Sequence, residues 1–299
     1  MAAATVPLLR LSQEQWGTRW IFSLQPPPTA TSSWLAGGAA NRHVASPVWD
    51  LLVSQCSNAF AEPPKRILDL ASGPGEPACS LAACFPRARV TSSDNAQPML
   101  DAARERVRSL KLGKRVEVRK LDMTDLSSIG GASVDLCSVC LGLHLLPADT
   151  LLPTLQQISR VLRPGGHLVA TMWDDAPFVA VCLRSLEDVT GRPWPVPAAQ
   201  FEFAGGRMDP MFAAAGLTPA IGHNWVCEMP THLGHVDGDE AWQKGPLTVM
   251  PKLATCGDPG FLDAVRVAFC ERCRAEGLVG CDGELRLVQH YRLMDVRKL

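Results

Sequence analysis

The sequence predicts an α/β fold: an open, doubly wound, mostly parallel sheet of seven strands with helices on both faces. Between residues 65 and 173, short apolar runs alternate with stretches of helical period, the pattern of parallel strands joined by crossover helices. The first run, Ile67-Leu68-Asp69-Leu70, empties into a glycine loop. There Gly73-Pro74-Gly75-Glu76-Pro77-Ala78 fits the spacing G-x-G-x-x-G/A found between a strand and a ligand-binding helix. A hydrophobic content of 46% over 299 residues supplies core for one large domain with a small cap and argues against global disorder.

The elements follow in order. Residues 1–62 form an N-terminal arm and helix: four tryptophans, a Pro26-Pro27-Pro28 run, then apolar residues at near-helical spacing from Arg42 to Phe60, stopped by Pro63-Pro64. The main domain spans 63–299. Its strands are predicted at 66–70, 88–94, 116–121, 134–139, 167–172, 217–227 and 284–296. The fourth, apolar and thiol-bearing throughout, has the composition of a strand buried on both faces. Helices are predicted at 76–84, 97–110, 150–162, 208–215 and 261–275, with a small one at 240–243. Lys111-Leu112-Gly113 closes the second with a cation and a C-cap glycine. Residues 174–206 and 230–260 lose periodicity and read as cap or lid segments.

Net charge is −1, with no long-range positive field of the kind nucleic-acid binders use, so no nucleic-acid partner is expected. No apolar run reaches membrane-spanning length, and the first residues lack the basic start of a secretory signal. The expected location is the cytoplasm. An Ala-rich, acid-poor first dozen residues leave organellar targeting open. Eleven cysteines, an odd number scattered through core segments, read as reduced thiols. Two pairs have C-x-x-C spacing. Cys137 and Cys140 point to opposite faces of a strand, and Cys270/Cys273 lack completing ligands, so no metal is expected.

A glycine loop between strand and helix lets a ligand approach the backbone. Asp94 ends the second strand, 19 residues beyond Gly75, where a carboxylate accepts from ribose hydroxyls. Loop and acid together indicate an adenosine-type ligand without choosing among them. The flanking charges separate the candidates. Asp69 at the end of strand one and Glu76 in the next helical turn would repel a pyrophosphate by on the order of 1 kcal/mol each, whereas a cationic ligand such as a sulfonium would be favoured.

At these residues the chain resembles the class I S-adenosylmethionine-dependent methyltransferases, most nearly the ubiquinone/menaquinone-type small-molecule group. Ile67 to Gly75 is similar to the family's first motif, acid-x-Gly-x-Gly-x-Gly, with Ala71 in place of the first glycine. Asp94 with Met99-Leu100, Asp122-Met123, Val139 to His144 and Leu162 to Leu168 match four further motifs in order. The resemblance implies a Rossmann-like sheet whose last strand is antiparallel, S-adenosylmethionine as the methyl donor, and a small-molecule acceptor. By the same resemblance, Asp69 would hold the methionine end of the donor. The backbone of Ala71, Ser72, Gly73 and Gly75 would approach its amino-acid portion and ribose, and Asp94 would take the ribose hydroxyls beside Asn95 and Met99. Asp122 and Met123 would meet the adenine, and Cys140 and Leu141 would line the pocket near the donor.

Methyl transfer from a sulfonium is an in-line displacement from an activated donor, so a protein base is needed only if the acceptor must lose a proton. His144 is the candidate base by position; its other reading is a pocket-wall or helix-capping histidine. Asp174 and Asp175 divide between a substrate contact and a solvated loop. Trp173, Trp194 and the N-terminal tryptophans divide between a lid and ordinary packing. Two other functions compete: an NAD(P)-dependent oxidoreductase and a non-catalytic binding protein on the same fold.

Overall fold

In a computed structural model of the chain, residues 42–175, 177–192, 208–221, 223–250, 253 and 256–299 are described. The arm before residue 42 and Trp194 lie outside them. The described residues divide into two compact units, one drawn from 42–174, 208–227 and 290–299, the other from 175–192 and 228–289.

The larger unit begins with helix α1 (Arg42–Asn58) and strand β1 (Arg66–Leu70), then α2 (Ala78–Cys84), β2 (Arg89–Asp94), α3 (Gln97–Ser109), β3 (Val116–Lys120) and β4 (Val134–Cys140). A single 3-10 turn, Leu143–Leu145, leads to α4 (Ala148–Val161) and β5 (Leu162–Asp175). After α6 (Asp209–Ala214) comes β6 (Leu217–Pro219); β7 (Trp225–His235) and the last strand, β8 (Glu284–Lys298), are each divided between the two units. The strands lie in the order β3-β2-β1-β4-β5-β8-β6, with β7 also on β8. β1 to β5 pair parallel, and β8 runs antiparallel to β6. The fold class is therefore as the sequence predicts, with one strand more. The single strand expected over 217–227 is interrupted after Pro219, and Asn224 adopts φ +59°, so the chain resumes as β7.

The sheet's two faces differ. Leu68, Leu70, Cys137, Val139, Leu168, Ala170, Met172, Met294 and Val296 join α4 and α6 in an apolar core. α3 presents Met99, Leu100, Ala103 and Val107 inward, spaced for one helical face. The opposite face carries Asp69, Ser138, Thr171 and Asp295, all buried, under α1. Some of its polar groups are paired over long sequence distances. Asp295 meets His167 Nδ1 at 2.7 Å and accepts from Gln55 Nε2 at 2.8 Å. At the start of β5 the expected turn is absorbed as a bulge: Val134 pairs Leu162, then Leu136 pairs His167. Gly166 fits there because a Cβ would come within 2.9–3.2 Å of three carbonyl oxygens.

In the smaller unit, α5 (Pro177–Thr190) stands where no helix was expected. α9 (Pro259–Ala275) packs along it, N-capped by Asp258, which accepts from Phe261 N at 3.1 Å. Arg184–Glu276 and Arg272–Asp188 ion pairs join the two helices. Two short helices, α7 (Asp239–Lys244) and α8 (Pro246–Val249), complete the order.

Candidate active site

The site is built where β1, β2 and β4 end. Leu70 is followed by three left-handed residues: Ala71 at φ +51°, Gly73 at +53° and Gly75 at +92°. The loop is fastened to β2 by Ser72 N donating to Ser93 O (2.8 Å), Ser92 Oγ to Ser72 Oγ (2.9 Å) and Ser93 Oγ to Asp69 O (2.8 Å). Each glycine has a separate reason. A Cβ on Gly75 would lie 3.3 Å from Cα and Cβ of Ala103, so this residue sets the approach of loop to α3. A Cβ on Gly73 would meet nothing within 4 Å, so its backbone stays open on that side.

Ala71 replaces a glycine at a position that needs φ > 0, which costs an L-residue about 1–2 kcal/mol. Ala71→Gly should therefore raise stability by about 0.5–1 kcal/mol, the strain released less the extra freedom of an unfolded glycine. An unchanged urea midpoint would show that the left-handed alanine is unstrained.

The loop after β4 comes in against Ala71. Leu141 is left-handed at φ +52°. A Cβ on Gly142 would sit 2.8 Å from Val139 Cγ1, 3.0 Å from Ala71 Cβ and 3.5 Å from Met123 Cε. The motifs after β1, β3 and β4 thus converge on one point.

Asp69 is fully buried. Its Oδ1 accepts from Ser138 Oγ at 2.6 Å, while Oδ2 has no hydrogen-bond partner among the described residues. Burial raises its pKa to about 7, against the opposing pull of the Ser138 and Ser72 hydroxyls. Asp94 is nearly buried, its carboxylate accepting from Gly73 N and Ala96 N, each at 2.9 Å. Burial raises its pKa, and these backbone N–H groups oppose the rise. Asn95 is exposed beside it, and Met99 is buried in the first turn of α3. Leu121 N donates to Asp94 O at 3.1 Å, bringing the end of β3 to the same edge. Asp122 there is exposed and accepts from Thr124 N and Oγ1.

Glu76 corrects the electrostatic argument made from sequence. Its buried carboxylate is paired with Arg106 of α3, with Nε at 2.8 Å, and accepts from Ser80 N at 3.1 Å. Its charge is thus neutralised from 30 residues away, a partner that no local motif announces. Asp69 and Asp94 are left at the loop as buried acids without a cationic partner among the described residues.

Cys140 ends β4 buried, its Sγ 3.2 Å from Thr171 Oγ1, and burial pushes the thiol to about 12. It is a neutral wall group. Leu141 is half-buried. His144 lies buried in the 3-10 turn, and burial depresses its pKa to about 3, so the imidazole is neutral across the physiological range. Asp174 pairs with Arg292 of β8, with Nε at 2.6 Å, which sequence reasoning missed.

Residues 67–166 match the family model of a methyltransferase domain. The demethylmenaquinone methyltransferase of Thermus thermophilus is 35% identical over 120 residues, 40% of this chain and 52% of that protein. A ubiquinone/menaquinone biosynthesis C-methyltransferase of Syntrophotalea carbinolica is 34% identical over 104 residues, 35% of this chain and 42% of that protein. The chain spans about half the length of the curated relatives it matches. Among solved structures, the YcgJ protein of Bacillus subtilis shares the fold, with a TM-score of 0.53 at 15% identity over 84% of this chain and 97% of that one.

Proposed function

We propose, from the premise that residues 67–166 are a class I methyltransferase domain, that this chain transfers a methyl group from S-adenosylmethionine to a small-molecule acceptor. The observation that carries the reading is Asp69: a fully buried carboxylate with one oxygen unpartnered, beside a loop whose Gly73 backbone is open. Such an acid suits a ligand that brings its own positive charge. Neither the oxidoreductase nor the non-catalytic reading finds comparable support.

The donor, when bound, supplies a methyl group already activated on a sulfonium. The chain's part is to bind, orient and exclude water. Asp69 would neutralise the cationic methionine end, and the backbone from Ala71 through Ser72 and Gly73 to Gly75 would lie along it. Asp94, flanked by Asn95 and Met99, keeps lone pairs for the ribose hydroxyls beyond its two backbone contacts. Asp122 and Met123 would serve the adenine, and Cys140 and Leu141 would close the donor's side. His144, neutral and buried, suits a wall or an acceptor of a hydrogen bond better than a strong base, so an acceptor that ionises readily fits best. Residues 63–299 act as the methyltransferase domain, with 174–206 and 230–260 as cap segments and 1–62 as an arm. A cytoplasmic location and a small-molecule rather than nucleic-acid acceptor accord with the charge of −1. No helix among the described residues is long and apolar enough to cross a membrane.

Incubation with S-adenosylmethionine labelled on the methyl group and a panel of quinols, phenols and amines tests this reading. Label should appear in one acceptor class and be reduced in Asp94→Ala at donor concentrations below saturation. Tight donor binding with no label transferred to any acceptor would count against catalysis.

A further inference from the structure

The polar face of the sheet holds a second buried group without a partner. Tyr291 of β8, the only tyrosine in the chain, is fully buried, and its hydroxyl has no hydrogen bond among the described residues. A buried, unsatisfied hydroxyl costs about 1–3 kcal/mol, which phenylalanine would avoid at the same shape. The ring packs on Trp173 of β5, centroids 4.6 Å apart and planes tilted by 33°. Strand register fixes where this lies. Asp69 pairs Ser138 and Cys140 pairs Thr171, so Asp69, Ser138, Cys140, Thr171 and Trp173 point to one face by two-residue alternation. Trp173 stands two residues past the partner of Cys140, level with the loop that turns back over the glycine motif. Tyr291, stacked on it, therefore faces the same layer as the unpartnered Asp69 Oδ2. The Cys140 thiol is close enough to add to the burial that holds the phenol well above its usual pKa, so the hydroxyl keeps its proton and is available as a donor. Asp69, Ser138 and Thr171 are closed from solvent to the same degree, so an opening that admits a ligand to this floor reaches Tyr291 too.

We propose that the Tyr291 hydroxyl is an acceptor-contacting residue, donating a hydrogen bond to an oxygen beside the atom that receives the methyl group, with Trp173 as the apolar wall behind it. The assignment rests on the methyltransferase reading and adds a specificity: acceptors with a hydrogen-bond-accepting oxygen next to the nucleophilic atom. The acceptor enters ionised, its proton already released to solvent; the sulfur–methyl bond breaks as the methyl–acceptor bond forms, the sulfonium becomes a neutral thioether, and Tyr291 keeps its proton throughout.

The lone tyrosine makes the test direct. Biosynthetic 3-fluorotyrosine gives one 19F resonance from the whole chain. That line should shift when reduced 1,4-naphthoquinone is added to the S-adenosylhomocysteine complex. In parallel, Tyr291→Phe should lose about tenfold or more in kcat/KM for methyl transfer to the same quinol, the worth of one hydrogen bond made in the transition state. Its affinity for S-adenosylhomocysteine should be unchanged and its Tm unchanged or raised. A 19F line that the quinol does not move, or full transfer by Tyr291→Phe, overturns the assignment and leaves the methyltransferase reading standing. Wild-type protein that binds no S-adenosylhomocysteine overturns both.

Discussion

Asp69→Asn should make the protein more stable above pH 7 and weaken its hold on the methyl donor. Asp69 is buried, with one oxygen on Ser138 and the other unpartnered, and burial raises its pKa from 3.8 to about 7. The sign follows from proton counting. Between about pH 4 and about pH 7 the folded state holds a proton that the unfolded chain has released, so stability falls as pH rises through that window. A rise of about three units corresponds to on the order of 4 kcal/mol, fully in force above pH 7 and absent below pH 4. Asparagine removes the ionisation, so urea unfolding at pH 8 should favour the variant, while at pH 4 the two proteins should converge. A cationic donor reverses the balance by pairing with the ionised acid. Wild-type binding should therefore tighten as pH rises toward 7 and release a proton, and the variant should bind about 10- to 100-fold more weakly at pH 8, the worth of a charge-assisted contact. Parallel stability curves for the two proteins would show that Asp69 titrates normally.

Asp94→Ala tests the proposed ribose end of the donor site. The carboxylate gathers Gly73 N and Ala96 N at 2.9 Å each, so it shapes the loop and, on the proposed function, would also offer oxygens to a ribose. Its loss should weaken S-adenosylhomocysteine binding by about 1–3 kcal/mol, roughly 5- to 150-fold, with a smaller loss of stability from the two freed N–H groups. Calorimetry well below the unfolding transition separates the two effects. Unchanged affinity would place the ribose elsewhere.

Much of this arrangement was legible in the sequence, and the reason is local. β1, β2, β3 and β4 are short apolar runs bounded by turn residues, and their ends fall within two residues of expectation. The glycine loop, Asp94 and the loop after β4 were legible because strand ends place them on one edge whatever the details of packing. What escaped depends on distance or on backbone strain. Arg106 reaches Glu76 across 30 residues, and Gln55 reaches Asp295 across 240, neither of which a periodic pattern encodes. With Glu76 paired to Arg106, charge selection falls to Asp69 and Asp94. α5 was missed because it begins on Pro177, inside a proline-rich segment read as aperiodic. Tyr291 gave no signal at all, since an unpartnered hydroxyl exists only once the fold has closed around it.

The central claim is that the loop after β1 seats a cationic adenosyl donor rather than a pyrophosphate. Calorimetric titration of the wild-type protein with S-adenosylmethionine, S-adenosylhomocysteine and NAD at pH 8 tests it most directly. One-site binding of both sulfur compounds is expected, with S-adenosylmethionine binding strongly weakened in Asp69→Asn and no binding of NAD. Binding of NAD with neither sulfur compound bound would contradict it.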